Sequence, residues 1–177
     1  MRVLPTEVQG VFVVELELIE DERGFFAHTW SEREFRERGL HSTFDRSNVS
    51  YNALAGTLRG LHYQVEPHGE VKLVRCTRGA IFDVAVDLRK ESPTYRRWAS
   101  ATLDARNHRA LFIPEGCAHG FQTLADDTEV LYLMSGSYVP DAARTIAWND
   151  PALAIDWPAA SHRIMSPKDL NALPYTP

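Results

Sequence analysis

Ala80-Ile81-Phe82-Asp83-Val84-Ala85-Val86-Asp87-Leu88 alternates without a break. In an extended chain Ala80, Phe82, Val84, Val86 and Leu88 share one face, and Ile81, Asp83, Ala85 and Asp87 share the other. A helix would scatter both sets around its circumference, so the run reads as a strand. Working outward, further strand candidates cover Val11–Leu18, Thr57–Gln64, Val71–Cys76, Ala110–Ile113 and Glu129–Met134. Glycines and prolines punctuate the chain between them, a spacing that predicts an all-β sandwich or barrel.

One helix is signalled. Ser31 and Glu34 form a capping-box pattern, Phe35 supplies an apolar contact and Gly39 stops the run. The segment from Trp157 to Pro177 is rich in Pro, Ser and Lys and reads as irregular chain wrapping the domain, with a short helical turn near Asp169. No repeat, low-complexity tract or linker interrupts the sequence, so 1–177 is expected to form a single domain.

The composition is that of a globular protein: 44% apolar, 24% charged, net charge −5. That balance argues against nucleic acid as a partner. No apolar run approaches the roughly 20 residues that span a bilayer, and no signal peptide is evident, so a cytoplasmic location is expected and no membrane partner. The two cysteines, Cys76 and Cys117, make neither a disulfide framework nor a cysteine-rich zinc site. Both are expected to be reduced and inert.

Two segments share a layout. Gly56 precedes His62 by six positions, and Gly79 closes the following strand pair. Later, Pro114-Glu115-Gly116-Cys117-Ala118-His119 has a Pro-x-Gly-x-x-His spacing. The pair resembles the two cupin motifs, which implies a small jelly-roll barrel. A metal-binding cupin carries His-x-His, a Glu and a later His, a donor set suited to a divalent transition metal. Here His62 is followed by Tyr63 and Gln64, and Glu70 lies further along than the motif wants. No metal and no cofactor are therefore expected. A pocket holding His62, His119, Lys72, Arg59 and Tyr132 suits metal-free proton transfer beside a carbonyl on a phosphorylated ligand. His exchanges protons near neutrality, Tyr donates them, Lys stabilises an enolate oxygen, and Arg binds phosphate.

Longer runs sharpen this reading: Asp21-Glu22-Arg23-Gly24-Phe25-Phe26, Gly56-Thr57-Leu58-Arg59-Gly60-Leu61-His62-Tyr63-Gln64, Lys72-Leu73-Val74, Ile113-Pro114-Glu115-Gly116, Ala118-His119-Gly120-Phe121, Trp148-Asn149-Asp150-Pro151 and Ser166-Pro167-Lys168-Asp169. With these in order, the chain resembles the dTDP-4-dehydrorhamnose 3,5-epimerases along nearly its whole length. The resemblance implies a cupin-like β-sandwich, a homodimer, and epimerisation at C3, C5 or both of a nucleotide-diphosphate-linked 4-keto-6-deoxy sugar through enolates. It implies His62 as base, Asp169 as its orienting partner, Tyr132 as the acid on the opposite face and Lys72 near the C4 oxygen. Arg23 and Arg59 would bind the diphosphate, Arg23 reaching a neighbouring subunit's site. Phe26, His28, Asn48, Ser50, Gln64, His119, Tyr138 and Lys168 would line the substrate. Asp169 then requires the C-terminal segment to fold back over the barrel mouth.

Departures from the family pattern fall on nucleotide-facing positions: His28, the run Ser47 to Asn52, Ala143 and Thr145. They leave the nucleotide and the sugar open. A cupin-type 3,4-ketoisomerase and a non-catalytic sugar-nucleotide-binding module are the competing readings. Taken singly, each site residue also has an ordinary alternative: Tyr132 an inward aromatic, Asp169 a helix-start carboxylate, Lys72 an edge-strand charge, Arg23 and Arg59 surface ion pairs. Asp83 and Asp87 are expected to be structural, Asp83 with a supporting part near the base, and Tyr63, Phe121 and Trp148 to pack.

Overall fold

A computed structural model describes residues 1–176. The strands are β1 (Arg2–Pro5), β2 (Phe12–Glu15), β3 (Ile19–Asp21), β4 (Gly24–Phe26), β5 (Arg46–Asn52), β6 (Leu58–Gln64), β7 (Lys72–Arg78), β8 (Ala80–Asp87), β9 (Trp98–Asp104), β10 (Arg109–Ile113), β11 (Cys117–Thr123), β12 (Thr128–Met134) and β13 (Ala143–Thr145). Helices α1 (Glu32–Glu37) and α2 (Pro167–Leu170) are short. A six-stranded sheet in the order β1-β2-β10-β7-β12-β5 faces a five-stranded sheet in the order β13-β6-β11-β8-β9, and β3-β4 form a separate hairpin. This is the all-β, cupin-like sandwich expected. No helix among the described residues is long and apolar enough to cross a membrane.

The Ala80–Leu88 run became β8, with its two faces used in an unexpected way. Ile81 and Ala85 point between the sheets, among Val74, Leu111, Phe121 and Val130. The more apolar face, Phe82, Val84 and Val86, points outward and is covered by Ile146, Leu153 and Trp157 of the C-terminal segment. Both faces are thus buried, and the acidic face is the one turned to the interior, where Asp83 and Asp87 are fully buried.

Strand ends moved where neighbours extend or cut the ladder. β2 stops at Glu15 rather than Leu18, and β7 runs on to Arg78, pairing there with Glu129. Seven strands (β1, β3, β4, β5, β9, β11 and β13) were not among the candidates, and of these β11 and β5 line the site. β11 is buried along its whole length, so it has no polar face to reveal a period. β5 turns Arg46, Asn48 and Ser50 toward a cavity and leaves Val49 and Tyr51 exposed, the reverse of the usual pattern.

Helix α1 follows its cap signal: the Ser31 side chain accepts from the Glu34 amide, and Phe35 is buried under the outer face of the six-stranded sheet. The reciprocal half of the box does not form, because the Glu34 carboxylate accepts from the Met1 ammonium at 3.1 Å and pairs with Arg38. The C-terminal segment crosses the five-stranded sheet, with Leu58 donating to the Ile164 carbonyl and Ile164 to the Gly56 carbonyl. It then forms α2, where the Ser166 side chain accepts from the Asp169 amide.

Candidate active site

A cavity of about 670 Å³ opens between the sheets. Its two walls differ in chemistry because they come from different sheets.

The first wall is β6 and β11. Here the ladder is irregular: His62 lies opposite His119 and Arg59 opposite Phe121, so β6 holds one residue more than β11 over the same stretch. That bulge lets Arg59 and His62, three apart, both line the cavity. It depends on two glycines. A Cβ on Gly60, whose φ is +124°, would lie 2.5 Å from the Gly120 Cα and 2.8 Å from the His119 carbonyl oxygen. Only a hydrogen fits there.

His62 Nε2 is 2.6 Å from Asp169 Oδ1. Burial pushes the Asp169 carboxyl up, but the bonds from His62, Ser166 and the Gly60 backbone more than offset this and hold it below the usual carboxylate range. Asp169 is therefore ionised and can only accept, so Nε2 is the donor and, in the neutral ring, Nδ1 is the nitrogen with the lone pair. A second imidazole–carboxylate pair stands beside it, His119 Nε2 to Asp83 Oδ1 at 2.7 Å. Burial pulls His119 down and pushes Asp83 up. The two pairs differ in access: the His62 side chain is 41% exposed, the His119 side chain 6%. Only His62 has the reach of a base for a bound ligand.

The second wall is β5, β7 and β12. Tyr132 on β12 shares a 3.0 Å hydrogen bond with Ser50 of β5. Burial pushes its phenol well above the ordinary value, against the pull of Ser50 and Arg59, so it stays protonated. Lys72 on β7 is buried and its Nζ donates to the His62 carbonyl at 3.3 Å. A proton acceptor on one sheet and a proton donor on the other thus look into one space.

Of the residues singled out in the sequence, His62, Tyr132, Asp169, Lys72, Asn48, Ser50, Arg59, Gln64, His119, Tyr138 and Lys168 line the cavity. Gln64 has little left to offer a ligand: its amide donates to the carbonyls of His68 and Ser137 and accepts from the Val139 amide. Arg59 is held by Asn52 and the Tyr51 carbonyl.

Arg23, Phe26 and His28 do not line this chain's cavity; for Arg23 the expectation was a neighbouring subunit's site, while Phe26 and His28 were expected among the substrate-lining residues and are not found there. Arg23 and Phe26 sit on the β3–β4 hairpin, with the Arg23 side chain 85% exposed and, among the described residues, paired only to Asp21. Asp87 proves structural, bonded to Arg89, Ser92 and Thr94. Cys76 and Cys117 are free and buried, and burial pushes their thiols up to about 11 and about 12. No three His, Cys, Asp or Glu side chains gather as metal ligands among the described residues.

Arg46 and Arg144 line the cavity and were missed in the sequence. The signal for Arg46 was its period-two spacing from Asn48 and Ser50. Tyr63 and Phe121, expected to pack, both pack and line the cavity. Five cations (Arg46, Arg59, Lys72, Arg144, Lys168) stand there against the carboxylates of Glu70 and Asp169. A net-negative chain has concentrated positive charge where a phosphorylated ligand would lie.

A family model described as dTDP-4-dehydrorhamnose 3,5-epimerase matches residues 5–176. The dTDP-4-dehydrorhamnose 3,5-epimerase of Shigella flexneri is 44% identical over 172 residues, 97% of this chain and 94% of that protein. The crystal structure of the Bacillus anthracis dTDP-4-dehydrorhamnose 3,5-epimerase, with TDP and PPi bound, superposes with a TM-score of 0.94 at 42% identity, covering 98% of this chain and 99% of that one. A Legionella pneumophila dTDP-6-deoxy-D-glucose-3,5-epimerase in complex with dTDP-4-keto-L-rhamnose gives a TM-score of 0.92 at 37% identity, covering 98% and 92%.

Proposed function

The chain belongs to the dTDP-4-dehydrorhamnose 3,5-epimerase family, and on that premise we propose how its residues invert C3 and C5 of a dTDP-linked 4-keto-6-deoxy sugar. His62 removes the proton beside the C4 ketone through Nδ1. Asp169 fixes the ring and stabilises the imidazolium. Lys72 lies by the C4 oxygen and stabilises the enolate. Tyr132 delivers a proton from the opposite face. The observation that carries this reading is the placement of His62, 2.6 Å from Asp169 of α2, on one sheet and Tyr132 on the other. Inversion needs removal on one face and delivery on the other, and the two walls of the sandwich supply the two faces. A binding module would need neither an oriented imidazole nor a buried phenol.

Arg59, Arg144 and Lys168 suit the diphosphate, and Asn48, Ser50 and Tyr138 the sugar and base. The β3–β4 hairpin exposes Ile19, Phe25 and Phe26 beside Arg23. Apolar side chains so exposed along one hairpin, with an 85% exposed arginine at its turn, support a homodimer in which Arg23, Phe26 and His28 complete the partner's site. The enzyme acts as a single domain, in the cytoplasm, on a soluble sugar nucleotide.

The test is solvent exchange. The protein with a dTDP-linked 4-keto-6-deoxy sugar in D2O should lose the H3 and H5 proton resonances and yield the inverted product by NMR. A folded protein that exchanges neither proton would overturn the assignment. A product with its ketone moved to C3 would establish a ketoisomerase instead.

A further inference from the structure

The cavity wall holds a line of charge of which the steps above use only the last member, Lys72. Arg46 of β5 donates through Nε to the Gly136 carbonyl at 2.8 Å, and its Nη2 pairs with Glu70 Oε1. Glu70 Oε2 lies 3.9 Å from Lys72 Nζ, and Lys72 in turn donates to the His62 carbonyl. The Glu70 and Lys72 side chains are 6% and 7% exposed. Three charged groups from two strands and a loop thus form one chain that ends on the strand carrying the base.

We propose that Glu70, clamped by Arg46, is the positioning residue of Lys72: it holds the ammonium charged and aimed at the developing enolate oxygen. This rests on the reading that Lys72 serves that oxygen. A buried ammonium without a counter-charge tends to lose its proton, and a neutral amine stabilises an enolate poorly. Among the described residues Glu70 has the only carboxylate oxygen within 4 Å of Nζ. Other groups face Lys72 too. From β8 comes Asp83, whose Oδ1 is held by His119 and whose Oδ2 has no hydrogen-bond partner. From β11 come His119 and the protonated Cys117 thiol. Burial pulls Lys72 below the ordinary ammonium value; Glu70 opposes this most, then Asp83, while Arg46 adds to the pull.

The signs test the link between these charges, and its use in the reaction shows as a loss of exchange in Glu70→Gln that sets in at the lowered Lys72 midpoint, a pH profile that a purely structural ion pair would not shift. The protein has three lysines, Lys72, Lys90 and Lys168, so a sample labelled at lysine Cε gives three resolvable titrations. Lys72→Arg assigns the Lys72 signal, and Lys90 serves as the surface control. Glu70→Gln should lower the Lys72 midpoint by a unit or more, a tenfold change in its proton affinity. Arg46→Gln should raise it, since it removes a cation and frees Glu70 for Lys72. A midpoint unmoved in both variants, or moving the same way in both, overturns the proposal. If Glu70→Gln does not fold, Arg46→Gln alone decides: an upward move supports the proposal, and none or a downward one overturns it. Wild-type solvent exchange runs in parallel, so absence of exchange would sink the reading of Lys72's role separately from the titration result.

Discussion

Asp169→Asn isolates the contribution of the carboxylate behind the base. The substitution keeps the shape of the side chain and leaves the Ser166 cap on the residue 169 amide in place. It removes the negative charge 2.6 Å from His62 Nε2. A hydrogen bond to a charged group contributes about 1.5–3 kcal/mol. Because His62 is 41% exposed, solvent screening places the loss near the middle, about 2 kcal/mol. At about 1.4 kcal/mol per decade that is a ~30-fold slower proton abstraction. This is the floor, for an Asn that turns its oxygen to Nε2. If it turns its amide instead, the imidazole must present its lone pair to the Asn, Nδ1 takes the proton, and the base is lost. Loss of tautomer costs ~10⁴-fold in the serine-protease triad. Deuterium wash-in at C3 and C5, followed by NMR at saturating substrate, measures the step. Thermal unfolding checks that the fold is intact. An exchange rate within about threefold of wild type would refute the orienting role of Asp169.

Tyr132→Phe should leave deuterium exchange by His62 measurable while the yield of inverted product falls ~10²–10⁴-fold, the range of one general acid; equal losses of exchange and inversion would count against a two-face division. Gly60→Ala should destabilise by about 2–6 kcal/mol, from strain at φ +124° and the 2.5 Å approach to Gly120, and a urea midpoint equal to wild type would remove the bulge from the account. Asp87 tests acid stability. Burial alone would raise its carboxyl, but bonds from Arg89, Ser92 and Thr94 lower it from 3.8 to about 2, worth about 2 kcal/mol. The folded value lies below the unfolded one, so this stability is complete above pH ~4 and lost as pH falls through ~2. Asp87→Asn should cost that amount at pH 7 in urea titrations and almost nothing near pH 1.5, and a cost independent of pH would refute the assignment.

Local chemistry in the sequence was enough for several features. The unbroken alternation of Ala80–Leu88 could only be a strand, and Ser31 with Phe35 could only open an amphipathic helix, because both signals lie within a few residues of each other. His62 without a second imidazole at position 64 pointed away from a metal and toward a free base. The runs around His62, His119 and Asp169 pointed to the family. Contacts between distant segments decided the rest. Asp169 stands 107 residues from the imidazole it holds, and only the return of the C-terminal segment over the five-stranded sheet joins them. Which face of β8 is interior could not be read from its apolar content, because the covering layer is itself a distant piece of chain. β5 escaped notice because its polar face lines a cavity, and the link from Arg46 through Glu70 to Lys72 went with it. The alternation, caps and motifs are short-range. The pairing of two sheets, the access that separates His62 from His119, and the charge behind Lys72 exist only once the chain has closed on itself.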